Sequence, residues 1–107
     1  MTQYKFTIDP TAYAGYLTMH EGQFERTVQV SPEILIDYDT SGNLLGIEFL
    51  SLESIENFNP DSLSSQMSAA ELSEIKVLLS GHLDFKTAVA ESRQQDIPTF
   101  TQYLISI

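Results

Sequence analysis

Apolar and polar positions alternate with a period of two from the amino terminus onward. Tyr4, Phe6 and Ile8 are separated by Lys5 and Thr7, the pattern of a strand with one face in a core and one in water. Asp9-Pro10-Thr11 ends it, because proline has no amide to offer a ladder. Tyr13 to Met19 predicts a second strand, with Gly15 marking a bulge or a close backbone approach. His20-Glu21-Gly22-Gln23 reads as a turn, and Phe24 to Val30 as a third strand with Val28 and Val30 on one face. After the break at Ser31-Pro32, Ile34, Ile36 and Tyr38 alternate with Leu35 and Asp37. Thr40-Ser41-Gly42 then closes a hairpin, with Gly42 supplying a positive φ. In the returning strand Leu45, Ile47 and Phe49 are expected on one face, with Leu44, Gly46 and Glu48 on the other.

The texture changes after residue 50. Ser51 to Asn59 fits a short helix or an irregular turn, and Asn59 to Ser65 is polar and turn-rich. Residues 53–67 are therefore expected to link two parts. Ser68-Ala69-Ala70-Glu71 is a capping box, in which serine and glutamate satisfy each other's exposed backbone amides. Leu72, Ile75, Leu78 and Leu79 follow at helical spacing, and Gly81 suits the position just past the helix end. His82 to Arg93 predicts a second helix, which Pro98 prevents from continuing. Phe100, Tyr103 and Leu104-Ile105-Ser106-Ile107 form an apolar end, expected to pack on the sheet or on a second subunit in a homodimer. The expected fold is α+β: an antiparallel β-meander of about five strands over residues 3–50, then a helical part and a terminal apolar segment. Residues 1–107 read as a single domain, divided into 1–52, 53–67 and 68–107.

Composition narrows the chemistry. The 107 residues include 15 acids and 5 bases, for a net charge of −10. Nine of the acids and two of the bases fall in residues 1–60. Such a field repels nucleic-acid phosphates and anionic membranes and attracts basic proteins or divalent cations. A solvated acidic surface that keeps molecules apart explains the same charge. The absence of cysteine removes disulfides, thiolate metal sites and cysteine nucleophiles. With two histidines, His20 and His82, a histidine metal cluster has too few ligands. There is no nucleophile elbow, phosphate loop, zincin motif or dinucleotide fingerprint, so neither an enzyme nor a cofactor is expected. The amino terminus lacks the apolar run of a signal peptide and the chain lacks a span of bilayer length, so a cytoplasmic location is expected. His20 reads as a surface histidine beside a carboxylate rather than as a general base.

Residues 37–48 also fit a calcium-loop spacing. Asp37, Asp39 and Ser41 occupy its first, third and fifth positions, Gly42 the sharp turn, and Glu48 the bidentate position. The flanks read as strands rather than helices, and an acidic hairpin tip accounts for the same residues.

The run Ile8-Asp9-Pro10 with Ala12, Ala14, Tyr16 and Leu17, then Thr27-Val28 and Ile34-Leu35-Ile36-Asp37-Tyr38-Asp39, then Gly42 and Gly46-Ile47-Glu48-Phe49-Leu50, resembles the bacterial domain-of-unknown-function family 2283 over about residues 4–52. Its specific part is an Asp-x-Asp-x-x-Gly-x-x-x-Gly-Ile-Glu-x-Leu hairpin. The chain departs from the family pattern at Tyr13, where aspartate is common, and at Gly15, where a larger apolar residue is common. The resemblance implies a small β-sheet module. It also implies an antitoxin-like role, since some members are encoded beside small toxins of ribonuclease-like fold.

The sequence therefore points to a small acidic, non-catalytic module that binds a basic protein, in the manner of an antitoxin neutralising a small toxin or nuclease. Asp37, Asp39, Glu48, Tyr16 and Tyr38 are its candidate partner-binding residues. Two alternatives stand beside it. One is an inhibitor that mimics nucleic acid, with no direct nucleic-acid binding of its own. The other is a calcium-binding protein acting through residues 37–48.

Overall fold

The computed structural model describes residues 3–94 and 101–106. Six strands, β1 (Gln3–Asp9), β2 (Ala14–Thr18), β3 (Phe24–Ser31), β4 (Ile34–Asp39), β5 (Leu44–Phe49) and β6 (Thr101–Ser106), form one antiparallel sheet in the order β3-β4-β5-β2-β1-β6. Three helices, α1 (Leu52–Glu56), α2 (Ala69–Leu79) and α3 (Phe85–Arg93), pack on one side of it. The expected α+β architecture is present, with its antiparallel meander and helical C-terminal part. The meander is interrupted between β2 and β3: β5 returns to lie against β2, so the hairpin β1–β2 and the meander β3–β4–β5 join side by side. The apolar terminal segment packs on the sheet as β6, paired with β1. Pro98, Phe100 and Ile107 lie outside the described residues.

One row across the strands shows why this order buries the core. Val28, Ile36, Ile47, Leu17, Phe6 and Tyr103 stand in register on β3, β4, β5, β2, β1 and β6. Every residue in that row faces the helices, and the four central ones are fully buried. Cross-strand apolar pairs of this kind are the stabilising unit of a sheet. The neighbouring rows point the opposite way. One reads Thr27, Asp37, Gly46, Thr18, Lys5 and Leu104, and the next reads Gln29, Leu35, Glu48, Tyr16, Thr7 and Gln102. Among the described residues no helix covers that second face, which is open to solvent and largely polar.

A bulge changes the expected facing of β5. Strict alternation places Leu44 opposite Ile47, but Asp37 pairs with Gly46 and Tyr38 with Leu44. Leu45 is thus an extra residue on its strand. Its carbonyl accepts the amides of both Met19 (2.8 Å) and His20 (3.1 Å). The extra residue turns Leu44 into the core beside Ile47 and Phe49, while Leu45 is covered from the other side by the loop at Gly22.

The stretch expected to be a linker, residues 53–67, belongs to the core instead. Ile55 of α1, Leu63 at the end of a 3-10 turn (Pro60–Leu63), and Met67 are all buried in the same cluster as the sheet. Ser51 caps α1 and Asn59 caps the 3-10 turn through their side-chain oxygens, which is why these polar residues precede each turn. The capping box of α2 is formed as expected: Ser68 Oγ accepts from Glu71 N, and Glu71 Oε1 accepts from Ser68 N at 3.0 Å. Gly81 follows the end of α2 without a left-handed backbone, and the amides of His82 and Leu83 close the helix on Leu78 O. α3 starts at Phe85 rather than His82, because Asp84 accepts the amides of Lys86 and Thr87 as its N-cap. Those bonds hold the Asp84 carboxyl below its ordinary range, the Thr87 hydroxyl contributing most. Phe85 anchors α3 to the sheet through the rings of Phe6 and Phe49 and also meets Phe58 after α1, at centroid distances of 4.6–5.9 Å.

Candidate functional site

The open face is organised around one glycine. Tyr16 on β2 does not stand straight out of the sheet. Its ring lies across the neighbouring strand β5 to reach β4, where its hydroxyl donates to Asp37 Oδ2 at 2.8 Å. It crosses β5 at Gly46. A methyl group placed there would sit 2.5 Å from Tyr16 Oη and 2.6 Å from Leu17 O, inside contact distance of both. Gly46 is therefore a seat for the tyrosine, and an aromatic ring over a strand glycine restores the packing that the missing side chain forgoes. The other oxygen of Asp37 accepts from Thr27 Oγ1 on β3 at 2.6 Å. Hydroxyls from two strands thus orient a carboxylate without neutralising it. Burial, then the bond to Asp37, then the charges of Asp37 and Glu48 push the Tyr16 phenol well above its ordinary range, so it stays protonated and donates.

A hollow of about 160 Å³ opens beside this tyrosine, lined by Thr7, Asp9, Ala14, Gly15, Tyr16 and Glu48. Its walls are the small residues Ala14 and Gly15 and the phenol ring; two carboxylates complete it. Asp9 Oδ1 accepts from Thr11 N (3.0 Å) and Ala12 N (3.3 Å), so that residue also shapes the β1–β2 turn. The side chain of Glu48, opposite Tyr16 in register, has no hydrogen bond or ion pair among the described residues. The hollow is mainly apolar, with an aromatic wall on which an aliphatic stem can pack and two acidic residues among its lining.

The five residues singled out from the sequence separate into three groups. Tyr16, Asp37 and Glu48 come together on the open face. Asp39 serves the hairpin: its Oδ1 accepts from Ser41 N (2.9 Å) and Asn43 N (2.8 Å), holding a turn in which Gly42 has φ of 83°. Tyr38 faces the helices, where it is buried and donates to Gln66 O at 2.7 Å, with the Arg26 guanidinium 4.6 Å from its ring centre. Its two-residue spacing from Ile36 was the signal for that facing. Residues 37–48 are a strand, turn and strand rather than a loop between helices. Among the described residues no three acidic or histidine side chains converge to hold a metal, so Asp37, Asp39, Ser41 and Glu48 do not form a calcium cage. Thr27, Asp9 and the seat at Gly46 are the site residues that pattern reasoning missed. A glycine on the polar side of a strand was the available sign.

His20 has a carboxylate partner, but it is Glu74 of α2 rather than the adjacent Glu21. Glu74 Oε1 lies 2.9 Å from His20 Nε2, and its other oxygen accepts from Tyr4 Oη at 2.8 Å. That pair ties α2 to the ends of β1 and β2.

The hairpin geometry accounts for each element of the Asp-x-Asp-x-x-Gly-x-x-x-Gly-Ile-Glu motif: carboxylate bound by tyrosine, turn carboxylate, positive-φ glycine, tyrosine seat, core isoleucine, exposed glutamate. Residues 5–52 match the DUF2283 family model, described as a protein of unknown function. No curated protein and no solved structure matches the chain. The DUF2283 segment comprises β2 to β5 and nearly all of β1, with the whole candidate site. α2, α3 and β6 lie outside the match. The two departures from the family pattern also have structural counterparts. Gly15 leaves room for Ile55 of α1, whose Cδ1 would lie 2.7 Å from an added Cβ. Tyr13 has φ of 53°, a left-handed conformation that aspartate tolerates better than tyrosine. No helix among the described residues is long and apolar enough to cross a membrane.

Proposed function

We propose that the open face of the sheet is the docking surface for a basic protein, and that the chain acts as a non-catalytic, antitoxin-like neutraliser in the cytoplasm. The observation that carries this reading is the uncovered row of side chains around Tyr16. Asp9 and Glu48 line the hollow beside this tyrosine, Asp37 one row over accepts from its hydroxyl, and the base in register with Asp37 is Lys5, three strands away. Of the other cations, Lys76 pairs with Asp61 at 2.6 Å, Arg93 pairs with Glu56, Arg26 stacks on Tyr38, and Lys86 is carried by α3, which packs against the other face of the sheet. The charge of −10 steers the encounter, and the hollow beside Tyr16 receives a lysine or arginine that fixes the register. The site has a carboxylate held by two hydroxyls but no nucleophile–base pair, and so offers recognition rather than bond making.

A tagged pull-down from the native host, eluted by rising salt, tests the reading. The expected result is one small basic protein, stoichiometric with the bait and released at high salt. Recovery of the bait alone, or of a partner whose retention ignores salt, contradicts it.

A further inference from the structure

The two edges of the sheet are built differently. β3 carries Glu25 and Arg26 and is broken in register twice, between Phe24 and Arg26 and between Gln29 and Ser31. Charges and bulges of this kind keep an edge strand from pairing with another chain. β6 has none of these devices. Its sequence, Thr-Gln-Tyr-Leu-Ile-Ser, holds no charge and no proline, and its register with β1 is unbroken from Gln3–Ser106 to Ile8–Thr101. Among the described residues no strand lies on its outer side. Leu104 is 64% exposed there, on the open face.

We propose that β6 pairs antiparallel with β6 of a second copy of this chain, about a two-fold axis near Leu104, so that two six-stranded sheets become one continuous sheet. With the axis at Leu104, that leucine meets its own copy on the open face. Tyr103 then faces Ile105 of the second copy on the helix side, and Gln102 faces Ser106. These pairs are apolar or neutral and lie on matching faces. Charge selects the occupant. A chain of net charge −10 repels its own copy over most of its surface. β6 is the edge strand that carries no charge of its own, and the Glu91 carboxylate that reaches it from α3 accepts from Tyr103 Oη. A basic partner gains nothing from that uncharged strand and is drawn to the acidic row instead. The dimer would place two such rows on one extended sheet.

Light scattering on the eluting full-length protein, at several concentrations, tests this for the wild type, Leu104→Lys and Val77→Lys. Val77 is an exposed apolar residue on α2 and serves as the control. The expected result is a dimer of the 12.0 kDa chain, a Leu104→Lys variant whose self-association is weakened roughly 100-fold or more, and a Val77→Lys variant that still dimerises. A monomeric wild type, which would leave the edge to a foreign strand, overturns the proposal, as does a Leu104→Lys dimer as tight as the wild type. Amide hydrogen exchange on the wild type reads the same contact without a substitution. Outward amides between Gln102 and Ser106 are expected to lose protection on dilution; equal exchange at all concentrations overturns the pairing.

Discussion

Replacing Gly46 by alanine probes the device on which the open face is built. In strands alanine normally improves on glycine, by about 0.5–1 kcal/mol, because glycine loses more freedom on folding. Here the added methyl meets Tyr16 Oη at 2.5 Å and Leu17 O at 2.6 Å. The hydroxyl sits at the end of a side chain that can swing away, whereas the carbonyl belongs to the backbone of the paired strand. Moving the ring removes a hydrogen bond to a carboxylate, worth about 1.5–3 kcal/mol when buried and closer to about 1 kcal/mol at this half-exposed position. The ring also loses its packing on the strand, and the β2–β5 pair must open slightly; together these cost about 1–2 kcal/mol. After the gain in propensity, Gly46→Ala should destabilise the protein by about 1–2.5 kcal/mol. Urea denaturation followed by circular dichroism measures this, and a double-mutant cycle with Tyr16→Ala assigns it. With the tyrosine removed, the cost of Gly46→Ala should drop by at least about 1 kcal/mol. An undiminished cost in the Tyr16→Ala background would refute the seat and leave the strand-to-strand contact at Leu17 as the reason for the glycine.

Three further outcomes follow from the same structure. Tyr13→Gly relieves the left-handed backbone at φ 53° on an exposed side chain, and thermal unfolding should show a gain of about 1 kcal/mol; no change or a loss would mean the tyrosine ring contributes more than its backbone costs. Glu71→Ala removes both the capping box and the acceptor for Leu44 N at 3.1 Å, which joins α2 to the start of β5; equilibrium unfolding should register a loss of about 2 kcal/mol, against about 1 kcal/mol if only the cap matters. At alkaline pH the phenols set the slope. Burial and the bond to Asp37 raise Tyr16 far above the ordinary phenol value of 10.0, and burial with the Glu91 bond pushes Tyr103 up to about 12. Above pH 10.0 the unfolded chain therefore loses these protons first. Stability is complete below that pH and falls as pH rises through the folded-state values. Tyr16→Phe should flatten the alkaline fall of the melting temperature; an identical pH profile would show that the tyrosine is not coupled to folding.

The strands were legible because one buried face imposes a period of two, and α2 because its capping box and apolar spacing agree. The order of the strands was not, since the choice of β5 over β3 as the neighbour of β2 depends on completing the apolar row from Val28 to Tyr103, a non-local condition. The facing of Leu44 was hidden by the bulge at Leu45, which inserts one residue and shifts the alternation. Ile55, Leu63 and Met67 are single apolar residues in polar surroundings, so their segment resembled a linker until the sheet supplied a surface for each. Within the site, Tyr16, Asp37 and Glu48 could be named as chemistry-bearing residues. Their convergence required two strand registers and the absence of a side chain at Gly46. Asp39 looked equivalent to Asp37 in sequence, yet two residues further along it reaches the turn amides and is consumed by them.

Whether the acidic open face receives a basic protein is decided by Glu48→Lys. The Glu48 side chain makes no hydrogen bond or ion pair among the described residues, so reversing its charge alters the docking surface without removing a member of the Tyr16–Asp37–Thr27 bonds. Calorimetric titration of the captured partner into wild-type and Glu48→Lys protein, at two salt concentrations, gives the answer. Binding is expected to be weakened by roughly 10-fold or more in the variant, with a smaller loss of affinity on adding salt than the wild type shows. Equal affinity and equal salt dependence in the two proteins would contradict it.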